Sequence, residues 1–297
     1  MTSFYRIVLL ALSIIFIGIF SIEFLYRDYK TGIDKRFENY YNNEDIEVLL
    51  NGNSHVGALG TADNLGLESF NFSVAGQDIF HIYSVLKTAL NDENNVKTIV
   101  VGIDYDLLGY DYKVANTMWL DRNYYNSTNQ LYDSTFSNYL MAQSGFFQSN
   151  RDFSYIKNKF LRNPEQENNK VVNNFIPIKG LAKDRALEHS FQKFDTSLIE
   201  MNTSYLEKII FLAENNEIEL IIVNLPKQTE YYKHYNKEAV KLGKAILDNY
   251  SMKHEIKLID LWKSQFFSDS DFLDGDHLNE IGANKVLEII EEYIQNS

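Results

Sequence analysis

The chain of 297 residues contains no cysteine. Disulfides, thiolate zinc sites and cysteine nucleophiles are therefore excluded, although the absence fits an oxidising or a reducing compartment equally well. Positive charge is also scarce, with 28 Lys and Arg against 41 Asp and Glu and a formal charge of −13. Without a local basic patch, that balance repels phosphate backbones, so nucleic acid is not an expected partner. No internal repeat is present, and the Asn-rich patches are short enough to be loops. What the chain has is a hydrophobic content of 45%, enough to build the core of one α/β domain with an insertion, or of two small domains.

Only one apolar run is long. Ile7 to Tyr26 reads IVLLALSIIFIGIFSIEFLY, interrupted by the single charge of Glu23. At about 1.5 Å per residue it spans a hydrocarbon core of roughly 30 Å. A cleavable signal peptide competes with this reading, but no small-x-small site follows the run, so residues 1–26 are expected to be a single-pass transmembrane anchor. Residues 27–44, rich in Tyr, Asn and charge, are expected to be a polar stalk. Arg27, Lys30, Lys35 and Arg36 follow the run and only Arg6 precedes it, a count that by itself keeps the larger domain inside.

A catalytic domain is expected over 45–297. Short runs of branched apolar residues at Ile46–Leu50, Ser69–Ser73, Thr98–Ile103, Glu219–Leu225 and Ile256–Ile259 are expected strands. Helical patterns fall between or after them at Asp78–Leu90, Ser204–Asn215, Lys237–Tyr250 and Glu280–Ile294, with Thr203 or Asn202 able to cap the second. Strand alternating with helix implies a mostly parallel five-stranded sheet in an α/β fold. The interval 105–202, including the polar stretch Asn163–Asn174, breaks this rhythm and is expected to be an insertion shaping a cleft.

Two segments carry the chemistry. The first strand breaks into Asn51-Gly52-Asn53-Ser54-His55, which puts the Ser54 hydroxyl at a strand's carboxyl end. The bland alternative is a strand-to-helix turn capped by Ser54. Far downstream, Asp274-Gly275-Asp276-His277 sets a carboxylate three residues before a histidine, in a loop expected to open on the same sheet edge. His277 could then take the Ser54 proton while Asp274 fixes its tautomer. Between them, Phe70 to Gln77 ends the second strand in small residues, and the Ser73 N–H is the candidate donor to an oxyanion. Asp269, Asp271, Asp274, Asp276 and Glu280 invite a calcium reading that fails on spacing: an EF-hand starting at Asp269 would have Leu273 and Asp274 at its fifth and sixth positions. No metal or cofactor is expected.

Together these blocks resemble the SGNH/GDSL hydrolase superfamily. Gly52-Asn53-Ser54 is similar to its Gly-Asp-Ser block, Asn71 to Gly76 to its Asn-x-Gly-x-x-Gly block with Ser73 in place of the oxyanion glycine, and Asp274 to His277 to its Asp-x-x-His block. The resemblance implies a three-layer α/β/α, flavodoxin-like fold, with Ser54, His277 and Asp274 as catalytic residues and the Ser54 and Ser73 amides on the oxyanion. It departs at Gly102-Ile103-Asp104, where the family has an asparagine, because an ionised Asp104 would repel an oxyanion. Asn53 is the expected substitute, and His55, Asp104, Trp119 and Arg122 are candidate substrate contacts.

The anchor, the altered third block and the insertion look most like tethered members that act beside membrane-bound O-acyltransferases on envelope polymers. That resemblance implies a domain outside the cytoplasmic membrane, adding or removing acyl groups, acetyl above all, on a polysaccharide. It is preferred to the basic-residue count, because a short N-terminal tail says little about orientation. The alternative from another class is a catalytically weakened scaffold that binds polymer or recruits the membrane partner.

Overall fold

All five expected strands form, each within a residue or two of its sequence signal: β1 Val48–Asn51, β2 Ser69–Asn71, β3 Thr98–Gly102, β4 Glu219–Asn224 and β5 Lys257–Asp260. The structure is a computed structural model describing residues 2–43, 45–60, 66–90, 95–111, 119–161 and 182–296. The polar stretch Asn163–Asn174 lies outside the described residues. The strands pair in the order β2-β1-β3-β4-β5, every pair parallel. Leu50 stands opposite Asn71 on one side and Val100 on the other.

Strands β1 and β3 are buried at every residue, as expected of central parallel strands covered on both faces. Alternation decides which layer each side chain meets. Val48 and Leu50 join Val100, Ile221, Val223 and Ile259 against Val286, Leu287 and Ile290 of the helix Glu280–Gln295. Asn51 points the other way, and its amide donates to the Ile82 carbonyl of the helix Ile79–Ala89. The latter helix packs against Ile199–Asn215, and the result is a three-layer α/β/α arrangement.

Helix ends differ instructively. The helix expected from Ser204 starts at Ile199, so Thr203 does not cap it; its hydroxyl bonds back to the Ile199 carbonyl within the helix. Asn202 is turned inward, and its amide donates to the carbonyls of Leu107, Leu108 and Tyr110. The helix expected over Lys237–Tyr250 runs on to His254, where Glu255 adopts a left-handed conformation at its C-cap.

Contacts divide the chain into two compact units, residues 1–35 with 121–173 and residues 36–120 with 174–297. Of the described residues in the expected insertion, 105–111, 119–120 and 182–202 fall in the second unit and 121–161 in the first. The expected polar stalk, residues 27–44, has structure of its own. It contains a helix, Gly32–Tyr41, in which Ile33, Phe37 and Tyr40 are buried, and the last two stack on Phe72 of the sheet unit. Alternating charge with apolar residues at helical spacing looks polar on average yet has one apolar face.

In the first unit, the helix Thr2–Tyr26 contains the segment Phe4–Tyr26, of mean hydropathy 2.6, long and apolar enough to cross a membrane. Its single acid, Glu23, accepts from the Ser144 hydroxyl. The same unit holds the helices Trp119–Thr128, which starts two residues before the boundary, Phe136–Ala142, Gly145–Gln148 and Ser154–Leu161. Buried Asp121 binds the first of these to the turn that follows, accepting from Tyr132 N, Asp133 N and Asn138 Nδ2 at 2.7, 3.1 and 2.7 Å.

Candidate active site

The site begins where β1 ends. Gly52 and Gly102, at the ends of neighbouring strands, leave room for Val56: a Cβ on either would lie 2.5 or 2.0 Å from Val56 Cγ2. The chain can therefore turn at once into the short helix Ser54–Gly57, whose N-cap Asn53 accepts from His55 N at 2.9 Å. Ser54 is left half-buried at the sheet edge.

The second segment is braced before it reaches that edge. An antiparallel bridge joins Phe272 to Leu278, and Asp274 Oδ1 accepts from the backbone N–H groups of Asp276 and His277 at 3.0 and 2.9 Å. Both oxygens of Asp274 lie 3.0 Å from His277 Nδ1. His277 Nε2 lies 2.9 Å from Ser54 Oγ. A carboxylate on Nδ1 selects the tautomer with the proton there, leaving the Nε2 lone pair facing the serine hydroxyl. Burial, together with the charge of His55, holds the His277 pKa below its ordinary value despite Asp274, so the ring is neutral and able to accept a proton at neutral pH.

Beside this triad lies a second array that the sequence did not reveal. Lys227, 4% exposed, donates to Asp104 Oδ2 at 3.2 Å. Asp104 Oδ2 is also in a very short contact with His55 Nδ1, and His55 Nε2 reaches Asp276 Oδ2 at 2.9 Å. Arg185 then grips both oxygens of Asp276, at 2.6 and 2.9 Å. Lys227 Nζ also lies 2.9 Å from His55 Nδ1, but a ring proton held by Asp104 forbids a second donor there. The array is a buried chain of alternating charge, Lys227–Asp104–His55–Asp276–Arg185. Burial and Lys227 oppose protonation of His55, yet the carboxylates on its two nitrogens overcome both and push its pKa up to about 9. Asp276 is held well below the carboxylate range: burial alone would raise it, and His55 and Arg185 reverse the sign.

This answers the question raised by Asp104. Burial alone would raise its pKa, but Lys227 and His55 hold it well below the usual carboxylate range, so it stays charged. It serves as a counter-ion to them. His55 likewise uses both ring nitrogens internally. Arg185 has the only sequence signal one would expect of it, none, because its partner is 91 residues away. Lys227 had a usable signal: a lone lysine three residues after the end of the apolar β4.

The oxyanion expectations are met unevenly. Ser73 N already donates to Asn71 Oδ1 at 2.9 Å, and Ser73 is not among the residues lining the cavity over Ser54. Asn53 does line it. The cavity, about 230 Å³, is otherwise walled by polar groups including Gln77, Tyr110, Arg185, His189 and Lys193. Asp106 also lines it, pushed up to about 6 by burial and by the charge of Asp104. Trp119 and Arg122 are absent from this lining. Arg122 sits in the first unit and donates to Asn138 at 3.2 Å. His55, Asp276 and His277 stand within 4.8 Å of one another, a spacing a cation could use, but the Arg185 guanidinium already neutralises Asp276.

Stability should report the array directly. His55 is raised above its unfolded value of 6.5, so its contribution is fully present below about pH 6.5 and is lost as pH rises through about 9. That loss is on the order of 3 kcal/mol. His189, pushed by burial down to about 4, has the opposite sign and destabilises the fold as pH falls from 6.5 towards 4. Urea midpoints measured from pH 4 to 10 should peak near neutrality, and His55→Gln should flatten the alkaline limb.

The α/β/α fold, with a serine after the first strand and Asp-x-x-His after the last, is the arrangement that the resemblance to SGNH/GDSL hydrolases implies. A protein-family model that carries no name or activity matches residues 147–297, just over half of the chain, and the chain belongs to the unnamed family which that match defines. Among solved structures, the chain is similar to a protein assigned as an acylhydrolase from Bacteroides fragilis, with 12% identity over 90% of this chain and 98% of that one and a TM-score of 0.47. It is also similar to a GDSL-like lipase from Bacteroides thetaiotaomicron, with 9% identity, coverage of 89% and 98%, and a TM-score of 0.45. A lipase/acylhydrolase from Enterococcus faecalis gives 11% identity, coverage of 84% and 96%, and a TM-score of 0.41. No curated protein matches the sequence. Likeness at this level says nothing of substrate, so the functional argument rests on the site.

Proposed function

We propose that the protein is a membrane-anchored serine esterase or O-acyltransferase that acts outside the cytoplasmic membrane, adding or removing acetyl groups on an envelope polysaccharide. The observation that carries this reading is the 2.9 Å approach of His277 Nε2 to Ser54 Oγ, with Asp274 on the opposite ring nitrogen. Ser54 Oγ attacks the ester carbonyl while His277 takes its proton. The tetrahedral intermediate collapses, the carbon–oxygen bond to the leaving group breaks, and His277 returns the proton to the departing alkoxide. A glycan hydroxyl or water, deprotonated by His277, then attacks acyl-Ser54 and frees the serine.

Oxyanion stabilisation falls to the Ser54 N–H, at the start of its helix, and to the Asn53 side-chain amide, whose oxygen is already engaged as the cap. The small polar cavity suits an acetyl group and a hydroxyl-bearing acceptor. The apolar segment Phe4–Tyr26 supports the anchor, and the resemblance supplies the outward orientation and a membrane-bound O-acyltransferase as donor partner.

One observation favours the scaffold reading as second choice: the Ser73 amide is engaged by Asn71, which leaves the oxyanion site with fewer donors than the family pattern provides. Incubating the full chain with p-nitrophenyl acetate, with and without chemically deacetylated envelope glycan, separates the readings. An acyltransferase moves label to the glycan, an esterase releases acetate in both cases, and a scaffold releases p-nitrophenol no faster than Ser54→Ala.

A further inference from the structure

The first unit carries apolar side chains that no core explains. Phe136 and Leu140, four residues apart on one helix face, are 76% and 52% exposed; Phe153, in the turn that leads into the helix Ser154–Leu161, and Phe160 within it are 61% and 63% exposed. Clusters of this kind on a small unit mark a surface that meets something apolar.

Their position along the helix Thr2–Tyr26 identifies what. The Ser144 hydroxyl bonds to Glu23, three residues and about 4.5 Å of rise before the helix ends. Gly145 is pressed so close to the same turn that a Cβ on it would lie 2.6 Å from the Tyr26 carbonyl oxygen. The Tyr26 ring packs on Phe146 and Tyr155 at 5.5 and 5.4 Å, and Phe146 in turn meets Phe153 at 5.5 Å. The link between Phe136–Ala142 and Gly145–Gln148 is therefore level with the last turn of the apolar helix, and Phe153 lies one ring further out. If that helix spans a bilayer, this level is the headgroup region.

We infer that the helix Phe136–Ala142 and the segment from Phe153 through the helix Ser154–Leu161 lie in the membrane interface as a second, monotopic contact, inserting Phe136, Leu140, Phe153 and Phe160 among the lipid headgroups and upper acyl chains. The inference rests on the anchor reading of the first helix and adds to it. The occupant is lipid, since the unit that carries these side chains packs on the last turn of the helix read as membrane-spanning. Its effect is to hold the unit against the bilayer rather than let it swing on a single helix.

The absence of cysteine makes the test clean, because one introduced thiol carries the only label. Leu140→Cys, Phe153→Cys and Phe160→Cys, each in the full chain, are labelled with an environment-sensitive fluorophore and reconstituted into phosphatidylcholine–phosphatidylglycerol vesicles containing nitroxide-tailed lipid. Phe16→Cys, in the middle of the apolar helix, reports the anchor, and exposed Met252→Cys reports a surface in water. The expected result is quenching of the 140, 153 and 160 labels at least two-fold beyond that at 252. A quenched label at 16 with the other three no more quenched than 252 overturns the interfacial contact and leaves the anchor standing. An unquenched label at 16 overturns both.

Discussion

Asp274→Asn should slow acylation of Ser54 by on the order of 10⁴-fold while leaving the fold intact. The loop does not depend on the charge: the backbone N–H groups of Asp276 and His277 bond to Oδ1, an oxygen that asparagine retains. The effect arises at the ring. With Oδ1 holding those amides, the new NH₂ group faces Nδ1, donates to it and drives the proton to Nε2, where the imidazole can no longer accept from Ser54. His277→Gln should cost a similar factor, and the two together little more than either alone, because residues of one proton-transfer unit are not additive. The p-nitrophenolate burst in single turnover measures all three variants. A loss under ten-fold for Asp274→Asn would mean that His277 is not the base.

Asp104→Asn should destabilise the protein by roughly 3–5 kcal/mol, although it restores the residue that the family pattern has at this position. Lys227, whose side chain is fully buried, and His55 share this carboxylate. Its neutral replacement leaves Lys227 with only a deprotonated His55 as partner. Lys227→Met alone should also be destabilising, since Asp104 then depends on His55, but the two substitutions combined should recover a large part of the loss. That non-additivity is the signature of a buried ion pair. Denaturant midpoints of the wild type, both single variants and the double variant decide it. Strict additivity would show that Asp104 and Lys227 are not partners, and would return Asp104 to the list of substrate contacts.

The contrast between the triad and this array shows what a sequence can carry. Asp274 and His277 are three residues apart, and their relation is local, so the spacing alone exposes it. Ser54 became legible because an apolar strand ends abruptly in Gly-Asn-Ser, a change of pattern visible over a few residues. Arg185 and Asp104 have no such signature, because each acquires its meaning from a partner 91 or 123 residues away. Read against a motif, Asp104 looked like a defect; only the fold brings in the cations that make a buried aspartate reasonable.

Similar logic explains the fold-level misses. The sheet was legible from branched apolar runs, and the helix Ile79–Ala89 from the helical pattern over Asp78–Leu90, whose end residues prove to be its caps. The start of Ile199–Asn215 was not, since Asn202 faces inward for contacts made by distant carbonyls. The apolar face of Gly32–Tyr41 was not legible, because Phe37 and Tyr40 are buried against Phe72, a residue over 30 positions away.

The most direct test is intact-mass analysis of the full chain in detergent after treatment with a fluorophosphonate, alongside Ser54→Ala and Ser73→Ala. The account predicts one adduct per chain, absent in Ser54→Ala, present in Ser73→Ala, and formed far more slowly in His277→Gln. An adduct that survives Ser54→Ala, or none at all on folded wild-type protein, would contradict it.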